Sequence, residues 1–240
     1  MELAQWNATA TVDWRRAQRL YYLGEIHRAL GRTAPARACL ETALGVAKEL
    51  QDVRFLATIY NGLGNLWMGT VDYAAARDAY ERGVPYCYRL DDVPRLVGMS
   101  VNLARVYLLE GAAAAAASLL RSLQIQVERA SGAEGIQAQR YAVYQLLGEC
   151  QRRQGEWDAA ASTLEQVWAW VTAEPAGAPY RFSIAATRAE VALDQGHYPV
   201  ARHWLDRARP YGRSPEEQQL VAALEAQLLS SAPPTPASPR

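Results

Sequence analysis

The sequence predicts an all-α fold, a solenoid of five helical hairpins followed by a capping helix. Three observations carry that expectation. First, a small residue recurs along the chain at Gly24, Gly64, Ala104, Gly148 and Ala189; an alanine follows each twelve positions later, at Ala36, Ala76, Ala116, Ala160 and Ala201. A large apolar residue stands four positions beyond each alanine: Leu40, Tyr80, Leu120, Leu164 and Leu205. The intervals between the alanines are 40, 40, 44 and 41 residues, a steady period that marks stacked supersecondary units. Second, stretches such as "VRFLATIY" place apolar residues at Val53, Leu56, Ala57 and Tyr60, which is helical spacing. Third, each repeat is interrupted by a short turn ("LGRTAP", "MGTVDY", "LEGAAA", "RQGEWD" or "DQGHYP") whose glycine suits a left-handed helix terminus.

In chain order, residues 1–12 form a lead-in whose "MELAQW" reads as the end of an earlier second helix. Residues 13–213 hold the five repeats. Within the second, Gly62-Leu63-Gly64 invites comparison with a dinucleotide-binding loop, but the third glycine position is Trp67 and the preceding run is helical. A mid-helix glycine costs about 0.8–1 kcal/mol relative to alanine. Such a glycine is expected where another helix comes close, here Ala76 and its helix against Gly64. The run Ala112–Ala117 begins a helix of the third repeat, alanine being the best helix former. The junctions "ELQDVRFLA" and "RLDDVPRLV" place Asp52 and Asp92 as N-caps, with Pro94 in a first turn. A last helix, residues 214–230, starts at the N-cap Ser214 and covers apolar surface that a solenoid end exposes. Residues 231–240 hold four prolines and no large apolar residue, and are expected to be a disordered tail.

These residues resemble the tetratricopeptide repeat, whose pattern runs aromatic-x-x-Leu-Gly-x-x-Tyr, then Ala-x-x-x-Phe, then Pro. Tyr60-x-x-Leu63-Gly64-x-x-Trp67 fits it, as do Tyr144-x-x-Leu147-Gly148 and Leu103-Ala104-x-x-Tyr107. The resemblance covers residues 13 to 210 or so. The period exceeds the family's usual ~34 residues and the final proline is absent, which resembles the long-helix branch. That branch includes regions of bacterial peptide receptors, signalling ATPases and kinesin light chains. The resemblance implies a right-handed superhelix with a concave face lined by the first helices, and a non-enzymatic binding role.

Composition narrows the function. With 25 basic and 25 acidic residues the formal net charge is zero, which argues against nucleic-acid or membrane-surface binding driven by bulk charge. Lys48 is the only lysine, an arginine bias of the kind a GC-rich bacterial genome produces. Cys39, Cys87 and Cys150 are widely separated and odd in number, so a reducing cytoplasm is the expected location. No apolar run approaches the ~20 residues of a membrane span, and the stretch "MELAQWNATATVDW" lacks the basic flank and apolar core expected of a signal peptide.

At ~100° per residue, positions flanking the small residue of each first helix share one stripe turned away from the partner helix. The stripe collects Gln18, Tyr22 and Glu25; Thr58, Gly62 and Asn65; Gly98, Asn102 and Arg105; Ala142, Leu146 and Glu149; then Ser183, Thr187 and Glu190. Asn61 and Met68 border it. Asparagine is a middling-to-poor helix former, yet a carboxamide both donates to and accepts from a peptide bond, and arginine can fork onto a carboxylate. Candidate binding residues are therefore Tyr22, Asn61, Asn65, Met68, Asn102, Arg105, Glu149 and Glu190. The asparagines and Arg105 would hold an extended backbone, Tyr22 and Met68 offer apolar surface, and the two glutamates disfavour acidic residues. In family members that grip chaperone tails, asparagines at the places of Asn65 and Asn102 hold the peptide. This chain departs from them, with Asn61 in place of a lysine and with Ala142 and Leu146 in place of two basic residues.

Solvation alone can also account for asparagines on a helix face, and ordinary pairing with Arg152 and Arg153 for Glu149 and Glu190. His27, His197 and His203 lack ligand-like spacing. No nucleophile–His–acid arrangement, Walker motif or metal cluster is present, so no catalytic residue, metal or cofactor is expected. The expected partner is a protein or peptide segment rather than nucleic acid or membrane, with self-association left open. Two readings stand: a free-standing scaffold, or the sensing or regulatory region of a larger signalling protein such as a transcription regulator or ATPase.

Overall fold

The computed structural model describes residues 2–130 and 136–231, with side chains from residue 13 onward. The described residues form eleven α-helices: α1 (Glu2–Ala29), α2 (Thr33–Glu49), α3 (Val53–Gly69), α4 (Tyr73–Arg89), α5 (Val93–Leu109), α6 (Ala113–Arg129), α7 (Ile136–Arg153), α8 (Trp157–Ala173), α9 (Arg181–Asp194), α10 (Tyr198–Ala208) and α11 (Pro215–Ser231). They alternate as the first and second helices of the expected repeats, followed by one further helix, in an all-α solenoid arrangement. Residues 2–12 run without a break into α1. The proline-rich segment 232–240, expected to be disordered, lies outside the described residues.

The chain divides into two compact bodies, residues 1–112 and 113–240. In the first, α1 pairs with α2 and α3 with α4, while α2 and α4 receive α3 and α5. Its core gathers Ala17, Ala36, Leu40, Phe55, Leu56, Ile59, Leu63 and Leu66. In the second, α7 pairs with α8 and α9 with α10, and α11 packs Val221, Leu224 and Leu228 into the final core. Those three residues lie one and two turns apart, so a single stripe of α11 is buried.

Within the hairpins of Gly24, Gly64 and Gly148, the helix that carries the alanine lies against the glycine, as expected, and the nearest atoms belong to the large residue one turn beyond that alanine. A Cβ on Gly64 would stand 2.3 Å from Tyr80 Cε1; on Gly24 it would meet Leu40 Cγ at 2.8 Å, and on Gly148 Leu164 Cγ at 2.7 Å. Ala76 is fully buried, and the three atoms nearest to a Cβ on Gly64 belong to Tyr80. Helical side chains lean toward the N-terminus, so the patch beside Ala76 is covered from one turn further along. A small residue therefore faces the large residue sixteen positions later.

The local end signals are realised. Asp52 Oδ1 accepts from Phe55 N at 3.0 Å, and Asp92 Oδ1 accepts from Arg95 N at 3.1 Å. Asp72 caps α4 in the same way, accepting from Ala75 N at 3.1 Å. At α11, Ser214 Oγ accepts from Glu217 N and Glu217 Oε2 accepts from Ser214 N, a complete capping box. One turn departs from expectation. Gly69 remains helical as the last residue of α3, and the left-handed position falls to Val71, with φ of 62°. The other hairpin turns place Gly31, Gly111, Gly155 and Gly196 there. A left-handed β-branched residue carries roughly 1–2 kcal/mol of steric strain, and Val71 is exposed with little packing to offset it. Val71→Gly is accordingly expected to raise stability by about 1 kcal/mol in urea unfolding, despite the added freedom of the unfolded chain. A lower midpoint would show that the turn is not strained.

Candidate binding site on the first-helix face

In the N-terminal body the predicted stripe is a contiguous surface across α1, α3 and α5. Thr58 Oγ1 accepts from Arg95 Nη1 at 2.8 Å, and Asn65 Oδ1 lies 3.5 Å from the Asn102 Nδ2 donor. Gly62, expected on the open stripe, is instead roofed: a Cβ there would be 3.2 Å from both Glu25 Oε1 and Tyr21 Cε2.

Beneath this surface lies a polar contact absent from the sequence reading. Tyr80 is fully buried; its ring lies on Gly64 and its hydroxyl donates to Asn65 Oδ1 at 2.7 Å. Burial pushes the phenol well above its ordinary pKa, while the nearby Arg105 and Arg28 charges act in the opposite direction. Asn65 therefore serves the core, holding a phenol that would otherwise be buried without a partner. Arg28 is occupied as well, forking onto Glu25 at 2.8 Å.

The remaining candidates of this body are less committed. Asn102 and Asn61 are half-buried, and Asn61 has no hydrogen-bond partner among the described residues. Arg105 is exposed and makes no ion pair among them. Met68 is half-buried, and Tyr22 is exposed with its ring edge-on to Tyr21 at 5.6 Å between centroids. Beside Tyr22 opens a cavity of about 180 Å³ walled by Trp14, Tyr21, Tyr22 and Phe55, together with Arg54 and Arg95. Trp14 Nε1 donates to Asp52 Oδ2 at 3.1 Å, which ties α1 to the cap of α3. Of these lining residues, only Tyr22 was among the candidates legible in the sequence. The visible signal was the matched junctions, which put Arg54 and Arg95 two and three residues after equivalent caps.

The C-terminal body arranges its candidates differently. Glu149 and Glu190 converge on one guanidinium: Arg152 bonds Glu149 Oε2 at 3.0 Å, Glu190 Oε2 at 3.4 Å and Asp194 Oδ2 at 3.0 Å. Arg153 joins through Glu149. Three carboxylates thus surround two guanidiniums in a half-buried network satisfied from within. Burial raises the Glu190 pKa despite the opposing Arg152 charge, helped by the neighbouring Glu149 and Asp194 charges. Burial also pushes the Cys87 thiol up to about 11 and Cys150 up to about 12, so neither is a thiolate nucleophile at neutral pH. Among the described residues, no helix is long and apolar enough to cross a membrane.

Residues 142–169 match the family model of the tetratricopeptide repeat. No curated protein matches the chain in sequence. Several solved structures share its fold. BtubC (BKLC) from P. vanneervenii superposes with a TM-score of 0.68 at 19% identity, over 100% of this chain and 97% of that one. A Podosopora anserina putative kinesin light chain with nearly identical TPR-like repeats gives a TM-score of 0.62 at 18% identity, over 82% and 94%. YrrB, described as a TPR protein with an unusual peptide-binding site, gives 0.56 at 16% identity, over 86% and 90%.

The acidic network yields a pH test. A folded-state carboxyl pKa above the unfolded one means that the native state binds more protons, so this group's contribution is full below the unfolded pKa and is lost as pH rises through the folded one. Glu190→Gln removes that loss. Its melting temperature relative to wild type is expected to improve steadily as pH rises from about 4 to neutrality. A relative melting temperature that falls with pH would mean that the ionised Glu190–Arg152 pair is net stabilising.

Proposed function

We propose that this chain, a tetratricopeptide-repeat protein by its fold and by the match at residues 142–169, is a non-enzymatic scaffold. On this reading it holds an extended protein segment on the first-helix face of its N-terminal body. The observation that carries the reading is the spare hydrogen-bonding capacity there: Asn61, Arg105 and the groups of Asn102 beyond its one bond to Asn65 adjoin the Tyr80–Asn65 bond, which fixes the floor beside them. Carboxamides spaced along parallel helices can pair with alternate peptide groups, and Arg105 can take a carboxylate. The aromatic cavity beside Tyr22 gives such a segment a place for one apolar side chain, with Met68 adding apolar surface. In the C-terminal body, Glu149, Glu190 and Asp194 outnumber Arg152 and Arg153 by one charge, which disfavours acidic residues on that face. The shared fold with YrrB, whose description names a peptide-binding site, supports a peptide as the class of ligand.

The test starts from linear peptides selected on the wild-type protein out of a random library. Affinities are then compared with Asn102→Ala/Arg105→Ala and with Trp14→Ala. Removing a buried polar partner costs about 1–3 kcal/mol, so each variant is expected to bind about tenfold or more weakly while its helical circular dichroism is unchanged. Unchanged affinity in both folded variants would place binding elsewhere.

A further inference from the structure

The repeat register exposes a surface that the binding role does not use. In every later hairpin the first helix rests on the second helix of the hairpin before it, α3 on α2, α5 on α4, α7 on α6 and α9 on α8. The residue two positions after the small one is buried each time, as Leu66, Val106, Cys150 and Val191, none above 2% exposed. On α1 the same position is Ile26, 55% exposed. Leu23, whose counterparts Leu63, Leu103 and Leu147 are buried, is 44% exposed, and Leu30 is 60% exposed. This edge thus keeps the apolar residues of a stacking face while nothing among the described residues stacks on it. N-terminal to them on the same helix stand Arg15, Arg16 and Arg19, exposed and without an ion pair among the described residues.

The other end of the chain supplies a match. The buried stripe of α11 leaves Ala222, Ala223, Ala226 and Leu229 facing outward. Its first turn carries Glu216 and Glu217, and the helix contains no basic residue. Its one later charge, Glu225, is paired with Arg209. A terminal cap with a wholly polar outer face would keep such an array monomeric; among the described residues the α1 edge is apolar, and the α11 face mixes Gln218, Gln219 and Gln227 with its alanines. Laid parallel, α1 and α11 bring Arg15, Arg16 and Arg19 beside Glu216 and Glu217. Leu23 and Ile26 then fall beside Ala223 and Ala226, large residues against small ones as within the hairpins, and Leu30 falls beside Leu229. Pairing α1 with a second α1 instead sets arginines against arginines, or against His27 and Arg28 when antiparallel.

We propose that the protein associates end to end, the α1 edge of one copy stacking on the outer face of α11 of a second copy. The interface is heterologous, so it propagates beyond a pair, into rings or into chains whose length depends on concentration. Sedimentation of the full chain across a wide concentration range is expected to show a mass that grows beyond the dimer. Ile26→Glu and Ala226→Glu each remove one end, and each alone is expected to weaken association about tenfold or more, because an unpaired charge is buried. Mixed together they retain one good end apiece and are expected to stop at a 1:1 heterodimer. Leu30→Glu, at a still more exposed position, repeats the α1 arm should Ile26→Glu lose its helical signal. A wild type that stays monomeric throughout, or a mixture that does not pair, overturns the proposal. Association lost in Ile26→Glu but intact in Ala226→Glu overturns it in favour of a symmetric α1 contact.

Discussion

The contact between a small residue in the first helix of a hairpin and a large one sixteen positions later sets the spacing of everything else. With no Cβ at Gly24, Gly64 or Gly148, a side chain from the second helix can lie directly on the backbone of the first. Buried interiors are close-packed, so filling that gap with one large residue fixes the distance between the two helices. That distance in turn fixes which neighbouring positions reach the next hairpin. The alanines at Ala36, Ala76 and Ala160 are fully buried because the helices they sit on are already drawn together.

Repeat two uses the same contact to make a surface. Where Leu40 and Leu164 fill the gap with hydrocarbon, Tyr80 fills it with a ring that carries a hydroxyl. The hydroxyl meets Asn65, and Asn65 meets Asn102 on the adjacent first helix. A core requirement therefore anchors a polar side chain on the stripe and leaves its neighbours Asn61, Asn102 and Arg105 poised beside a fixed floor. The C-terminal body resolves its polar stripe in the opposite way. Arg152 absorbs Glu149, Glu190 and Asp194, so its charges are consumed internally. Two bodies built on one repeat thus differ in how much hydrogen-bonding capacity they leave for a partner.

What the sequence made legible follows the range of the interactions involved. Helix positions and the caps at Asp52, Asp92 and Ser214 depend on residues three or four apart, and they were readable. The repeat itself named the contacting pair of helices and the small residue in each. It did not single out Tyr80 as the nearest contact, because the direction in which side chains lean decides which residue of the facing helix comes closest, and not the spacing. The left-handed Val71 was hidden by Gly69, a better candidate two residues earlier that the helix absorbed instead. The aromatic cavity draws Trp14, Tyr22, Phe55 and Arg95 from three helices, and the link between Arg152 and Asp194 joins residues 42 apart. No local pattern encodes either.

A double-mutant cycle at Gly64 and Tyr80, followed by urea unfolding, tests the spacing contact most directly. Gly64→Ala alone gains about 1 kcal/mol of helix propensity yet is expected to destabilise by about 1–3 kcal/mol net, since its methyl would enter the Tyr80 ring. In a Tyr80→Leu background the cost of Gly64→Ala should fall by at least about 1 kcal/mol, because alanine and leucine already share the core of the fifth repeat at Ala189 and Leu205. Two substitutions whose effects simply add would contradict the account, and would mean that some other contact holds the hairpin helices at their distance.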